Sequence, residues 1–403
     1  MTQHERRALF TWLHRWLGLT AMAFLVIAAA TGCVLCLKKP LDRALNQDLF
    51  ARTGGGPALD PLVLVARFGA AHPELQVRSF PLNIGPGDNL PLQVVAAPGA
   101  PEPGFDQAFI DRGDAHIIGT RSDGPGWDRR HLVDGIEEFH KNLLGGTVGR
   151  WVMGIAALAW LVSNLVGVYL TWPRKAPFLR AWKRMWRFSF KSMFARLMLD
   201  VHRSTGLWLL IGVTALAFTS VSLNFFNEVY EPTVARIAPS HDLFDDPAPY
   251  KDGTRPTLPF ADAVARATRK AAADGLGWQP ATAIYKPNWN LYGVTLTDDG
   301  RLQYRGLGPV YYYFDARDGH LAYVVDPYRG DTGLALIRML YPLHSGQVAG
   351  WPGVAIIFLL GLATVEMAVT GFYVWWKKRR SRLAAQAAAR RNAARAAPQT
   401  GTA

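Results

Sequence analysis

With 403 residues, 50% of them hydrophobic, and a net charge of +13, the chain has room for several soluble domains and is basic enough to suggest a nucleic-acid partner. The distribution of charge excludes that partner: residues 1–16, 173–203 and 377–403 hold 20 Lys and Arg against only Glu5 and Asp200, and the remainder holds 24 against 29. Two cysteines, Cys33 and Cys36, exclude a disulfide framework.

In chain order, four segments are nearly free of charge: Trp16–Leu37, Trp151–Trp172, Thr205–Phe226 and Trp351–Trp376. Each exceeds the roughly 20 residues that cross a hydrocarbon core of about 30 Å, and backbone in lipid must bond to itself, so all four are expected as helices. Ala30-Thr31-Gly32-Cys33 faintly resembles a lipoprotein cleavage site. The third segment repeats the pattern of the first inside the chain, which favours a retained helix. Cys33 and Cys36, spaced i,i+3 near its end, read as small packing residues more readily than as a redox pair, and no His follows them as covalent haem attachment requires.

The basic stretches place both termini and the central loop in the cytoplasm, with two long loops outside. Lys38 and Lys39 run against this rule and are outvoted. The first loop predicts a helix near Pro61–Ala71 and strands near Gln76–Phe80, Leu92–Ala96, Ala108–Asp111 and His116–Gly119. The second predicts a helix over Leu258–Ala272 and strands at Ala281–Tyr285, Leu291–Leu296, Val310–Asp315 and Leu321–Val325, with Asp318-Gly319 as a hairpin turn. The central run from Pro173 to Met198, basic and aromatic, reads as an interfacial helix on an anionic leaflet.

The chain is duplicated. A shift of 188 places His14-Arg15, Gly18-Leu19 and Thr31 on His202-Arg203, Gly206-Leu207 and Thr219. A shift of 204 places His140, Gly146, Gly167, Tyr169 and Trp172 on His344, Gly350, Gly371, Tyr373 and Trp376. The same shift carries Asp111, Asp114 and His116 onto Asp315, Asp318 and His320. Both halves enter from the cytoplasm, so they are parallel repeats about an axis along the membrane normal.

Four of the ten histidines lie near the ends of spans and form two matched pairs, His14 with His202 inside and His140 with His344 outside. Imidazole is a metal ligand, and a pair at each face suits a device that carries electrons across the bilayer. Cross pairs would have to bridge most of the membrane. Gly18 and Gly206 lie at i+4 from His14 and His202, where glycine lets a flat macrocycle approach or simply lets helices touch. Arg15 and Arg203 are candidate partners for propionates, or anchors of the helix ends. The competing reading is four interfacial histidines in a structural bundle.

Of the other histidines, His4 lies in a tail. His72, His131 and His241 have no evident companion, and His116 and His320 suggest a conformational role in their turns more than a metal site. Glu366 is the sole ionisable residue inside the four apolar cores, so it is a functional candidate with either a proton-coupled or a hydrogen-bonding role.

The LHRWLGL start, the Thr-Gly near the end of the first span and the VTGFYVWWKKRR ending of the fourth resemble the PepSY-associated transmembrane family. The outer stretch YYYFDARDGHLAYV is similar to PepSY domains. The resemblance runs over about residues 9–380. It implies an α-helical membrane protein: a four-helix transmembrane bundle from two parallel repeats, with two periplasmic α+β PepSY-like domains. The segments are then 1–37 (cytoplasmic N-terminus and first span), 38–139 (first outer domain), 140–172 (second span), 173–201 (basic loop), 202–226 (third span), 227–343 (second outer domain), 344–376 (fourth span) and 377–403 (basic tail).

Members of that family include inner-membrane reductases of ferric siderophores with haem held by bundle histidines. The resemblance therefore implies two non-covalent b-type haems on His14/His202 and His140/His344, and reduction of a periplasmic ferric siderophore or other iron(III) chelate. No Rossmann glycine fingerprint occurs, so the donor is expected to be external: a flavoprotein, reduced flavin or a quinol. Two alternatives stay open: a non-enzymatic PepSY membrane protein that binds a periplasmic partner, and a haem protein whose acceptor is a quinone or a redox protein.

Overall fold

A computed structural model describes all residues except 53, 174–176, 240–243, 245, 252 and 397–403. The first half contains α1 (Gln3–Leu35), α2 (Lys38–Leu45), α3 (Gln47–Phe50) and α4 (Pro61–Ala71), then β1 (Leu75–Pro81), β2 (Leu90–Ala96), β3 (Gln107–Ile110) and β4 (Ile117–Arg121). It closes with α5 (Leu132–Asn142) and α6 (Gly146–Thr171), and α7 (Phe178–Lys183) follows in the basic loop. The second half contains α8 (Phe194–Trp208), α9 (Leu210–Asn224), α10 (Glu231–Ile237) and α11 (Phe260–Ala273). Then come β5 (Gln279–Lys286), β6 (Leu291–Thr297), β7 (Val310–Asp315) and β8 (Leu321–Val325), and finally α12 (Thr332–Ser345) and α13 (Gly350–Ala396). The chain divides into two units. One comprises residues 1–33, 145–224 and 358–403, the other residues 34–144 and 225–357.

The first unit is helical. Among the described residues, α1, α6 and the helix containing α13 are each long and apolar enough to cross a membrane. The third expected span is corrected: α8 and α9 reach that length only together, and they meet at a 73° bend. The break falls at Leu209, just after Trp208, whose indole N–H donates to the Trp186 carbonyl at 3.0 Å. One helical turn earlier, Arg203 Nε donates to the Met185 carbonyl at 3.0 Å. The first half of the span is thus tied to the preceding loop while the second half follows its own packing.

Helix contacts in this unit use small residues. Gly212 faces the Leu360 methyls, where an added Cβ would stand 2.9 Å away, and Gly361 faces Cys33 Sγ at 2.6 Å on the same measure. Cys33 is buried and its Sγ lies 3.4 Å from the Phe358 carbonyl, so its role here is packing; neither cysteine forms a disulfide. The outward side of α6 exposes Ile155, Leu158, Val162 and Leu165, a single helix face at i, i+3, i+7 and i+10. In water such a stripe would be an aggregation liability, whereas in lipid it is the ordinary solvent-facing surface.

The second unit is built on one antiparallel sheet of order β4-β3-β2-β1-β5-β6-β7-β8. Each half contributes a helix and four strands, as the sequence pattern predicts, but the two helix-and-strand modules are not separate. They join edge to edge through β1 and β5, with Ser79 opposite Ile284 and Phe80 opposite Ala283. The repeat shift of 204 carries Ser79 onto Ala283 and Phe80 onto Ile284. Each residue therefore faces the counterpart of its neighbour, and a pseudo-two-fold passes between them. Joining the modules here pairs an edge that each would otherwise expose.

Helix α4 covers the first module with Leu64, Val65 and Phe68, packed on Phe80, Leu92 and Ile110. Asp60 caps it, accepting from the Leu62 N–H at 2.8 Å. Helix α11 covers the second module with Ala263, Ala267 and Ala271, at i, i+4 and i+8, against Tyr285, Tyr292 and Tyr312. Small residues on the helix match large rings on the sheet. Each phenol keeps its hydroxyl satisfied, on the Thr254 carbonyl, the Leu258 carbonyl and the Asp274 carboxylate respectively, at 2.7–2.8 Å. Burying each such ring stabilises by about 1.5–3 kcal/mol. Lys38 and Lys39, the exceptions to the charge rule, are engaged within this unit. Lys38 pairs with Glu137 on α5, and Lys39 donates to the Leu302 carbonyl at 3.0 Å.

Candidate functional site

Two histidine pairs assemble, each inside one unit. In the helical unit, His14 on α1 and His202 on α8 stand with ring centres 6.2 Å apart and planes inclined at 62°. His14 Nδ1 lies 3.1 Å from the Ser163 carbonyl on α6 and 2.9 Å from the Ser163 hydroxyl. His202 Nδ1 lies 2.9 Å from the Met367 carbonyl on α13 and 3.2 Å from the Thr370 hydroxyl. Ser163 and Met367 are themselves equivalent under the shift of 204.

A carbonyl oxygen can only accept, so each of these bonds holds the proton on Nδ1 and leaves the Nε2 lone pair for a metal. Such outer partners orient a ligating imidazole and raise its basicity. Gly167 and Gly371, also repeat partners, provide room for the rings. A Cβ on them would stand 3.3 Å from His14 Cε1 and 3.0 Å from His202 Cε1.

In the sheet-containing unit, His140 on α5 and His344 on α12 repeat the arrangement, with ring centres 6.3 Å apart and planes at 55°. Both helices end just past their histidine in a left-handed residue, Leu143 at φ 56° and Gly346 at φ 76°. Gly346 suits this turn doubly, because a Cβ there would also fall on the Gly353 carbonyl. Asp331 starts α12 by accepting from the Leu334 N–H at 2.8 Å. His344 lies six residues before the start of the last long helix, Gly350–Ala396.

The spacing can be tested against a bis-imidazole metal centre. Two nitrogens on opposite sides of one ion, each at about 2.0 Å, stand roughly 4 Å apart; about 1.1 Å more from each to its ring centre gives roughly 6 Å in all. Both pairs fit.

A family model described as a PepSY-associated TM region matches residues 11–378. The chain belongs to this family. No curated protein matches it. Membership and the apolar spans together make it a membrane protein.

Within this PepSY-associated protein the remaining expected site residues part company. Arg203 is committed, with Nη2 on Asp200 at 3.0 Å and Nε on the Met185 carbonyl, and its partner Asp200 also takes Arg196 at 2.9 Å. The expected equivalence with Arg15 fails because the counterpart of Asp200 in the first repeat is Trp12. Arg15 makes no ion pair among the described residues; its guanidinium lies 5.4 Å from the Trp16 ring centre and its Nε is buried without a partner. Gly18 keeps open space above its Cα, whereas a Cβ added to Gly206 would stand 3.5 Å from the Met367 methyl.

Both carboxylate oxygens of Glu366 are buried, with the Thr205 and Thr370 hydroxyls beside them, one residue before the carbonyl that holds His202. His72 and His131 do have companions, Glu74 at 3.1 Å and Asp128 at 2.7 Å, so they are ordinary surface pairs. His241 lies outside the described residues. Sequence reasoning did not single out Ser163 and Thr370. For Gly167 and Gly371 the signal was present in the duplication itself.

Proposed function

We propose that this protein is an inner-membrane di-haem b-type cytochrome that moves electrons from the cytoplasmic side to the periplasm and reduces ferric siderophores or other iron(III) chelates. The observation that carries this reading is the pair of duplicated histidine couples with ring centres 6.2 and 6.3 Å apart. When bound, the two haems supply one-electron transfer between an external donor and the chelate. Reduction to iron(II) weakens the hold of oxygen ligands and so releases the metal.

The chain's own residues position and tune. His14 and His202 hold one haem, and His140 and His344 the other. The carbonyls of Ser163 and Met367 fix the orientation of the first pair. Gly18 leaves a flat face on α1, and Arg15 is the cation with a guanidinium to spare for a propionate. The basic residues of 1–16, 173–203 and 377–403 favour cytoplasmic termini, with the sheet-containing unit in the periplasm. In that arrangement the four spans form one bundle and the two joined modules act as PepSY-like domains on the outer face.

The test is a reduced-minus-oxidised spectrum of the purified full chain with haem quantitation. About two haems per chain and split α/β bands support the reading. A colourless, correctly folded preparation sinks it and leaves a PepSY protein that binds a periplasmic partner. Ferric-chelate reduction in right-side-out against inside-out vesicles then separates a chelate acceptor from a quinone or a redox protein.

A further inference from the structure

The two outer modules carry the same hairpin with one telling difference. Asp111 at the end of β3 and Asp315 at the end of β7 each donate their backbone N–H across the turn, to the carbonyls of His116 and His320, both at 2.9 Å. In both turns the second aspartate caps the histidine, with Asp114 Oδ1 2.6 Å from His116 Nδ1 and Asp318 Oδ1 2.7 Å from His320 Nδ1. The divergence lies between them. The second module has Arg317 where the first has Gly113.

Arg317 satisfies its aspartate completely: Nε donates to Asp315 Oδ1 at 3.0 Å, and Nη2 to Oδ2 at 2.7 Å. Asp111 has no such counter-ion among the described residues. Its Oδ1 accepts from the Gly113 N–H at 2.6 Å, while its Oδ2 is buried with no partner among the described residues. The residue is only 5% exposed. Of two nearby arginines, Arg112 donates one nitrogen to the Gly85 carbonyl at 2.9 Å and Arg52 one to the Gly56 carbonyl at 3.0 Å; each keeps a buried Nε without a partner, and neither forms an ion pair with Asp111 among the described residues. Gly54 and Gly113 keep side chains away from the carboxylate, since a Cβ on them would stand 2.7 and 3.0 Å from its oxygens. Ligand atoms of Asp111, Asp114 and His116 lie within 4.8 Å of one another.

We propose that Asp111, Asp114 and His116 form a site for a divalent first-row transition cation, and that Arg317 occupies the equivalent place in the second module with a guanidinium. Two carboxylates and one imidazole make a hard-to-borderline donor set that suits Mn2+, Fe2+ or Zn2+ and leaves further positions open to water. Binding through His116 Nδ1 moves the proton of the neutral imidazole to Nε2, so the turn loses its hydrogen bond to Asp114 and gains a metal bridge. The site is independent of the haem reading.

The probes are Mn2+, followed by electron paramagnetic resonance, and Zn2+, followed by calorimetry, on the full-length protein in detergent. The expected result is one equivalent that weakens tenfold or more in Asp111→Asn and in His116→Ala, with an unchanged melting temperature in the metal-free protein. Gly113→Arg should abolish it by supplying the missing guanidinium. Arg317→Gly should raise the stoichiometry from one to two. Binding that is the same in Asp111→Asn, His116→Ala and Gly113→Arg as in the native chain, or no saturable binding at all, overturns the proposal. A stoichiometry still at one in Arg317→Gly overturns the part assigned to Arg317.

Discussion

A methyl group on Gly371 would stand 3.0 Å from Cε1 of His202, so the ring rests directly on the backbone of α13. Gly167 supports His14 in the same way at 3.3 Å. Forcing an extra carbon into a packed contact costs about 1–3 kcal/mol. Gly371→Ala is expected to displace His202 and to shift or remove the haem proposed for His14/His202 while sparing the one proposed for His140/His344. Gly167→Ala should do the same more mildly. Low-temperature spectra with haem quantitation read the effect; a Gly371→Ala spectrum identical to the native one would argue that the ring is not held by this floor.

The pairs should behave as pairs. His14→Ala and His202→Ala are expected to remove one and the same haem, and His140→Ala and His344→Ala the other, each leaving about one haem per chain. Ser163→Ala is expected to keep both, because the Ser163 carbonyl that faces Nδ1 of His14 survives the change. Loss of every haem from any single histidine change would point to misfolding instead of ligation.

Glu366 lies buried, its carboxylate without a cationic partner among the described residues, next to the residue that anchors His202. An ionised carboxylate there would favour the oxidised metal, and reduction would favour taking up a proton. The midpoint potential of the His14/His202 haem should therefore fall as pH rises. Glu366→Gln removes both the charge and the exchangeable proton, so it should flatten that slope and leave the potential higher at alkaline pH. A redox titration at several pH values checks this, and an unaltered slope would assign Glu366 a structural part.

Asp331 satisfies the first turn of the helix that carries His344. Asp331→Ala should cost about 1 kcal/mol of stability, and Asp331→Asn should restore most of it. Chemical denaturation of the detergent-solubilised protein distinguishes the two. If alanine and asparagine are equivalent to the native residue, the cap contributes nothing.

Gly319 turns the second hairpin at φ 76°, and its counterpart in the first module is Ala115, at φ 74°. Gly319→Ala should cost about 1–2 kcal/mol for the left-handed backbone, besides moving the tip of Arg266 on which the new methyl would fall. Thermal melting of the variant is the measurement, and an unchanged midpoint would show that the second hairpin carries the strain as readily as the first.

The amino-acid sequence by itself determined three of the four apolar spans, the strands and the two matched histidine pairs. All of these are written in local patterns or in the duplication: an apolar run is apolar whatever it packs against, and His14 and His202 share neighbours because they share ancestry of position. Tertiary structure alone decided the rest. The break at Leu209 depends on Trp208 reaching Trp186, and the union of β1 with β5 depends on an edge meeting its own counterpart. The acceptors that fix His14 and His202 lie 149 and 165 residues away. Two arginines in equivalent places differ because one has Asp200 beside it and the other Trp12. Hydrogen bonds and ion pairs are short-ranged, so which residue satisfies which group is settled only when packing brings donor and acceptor within about 3 Å of one another.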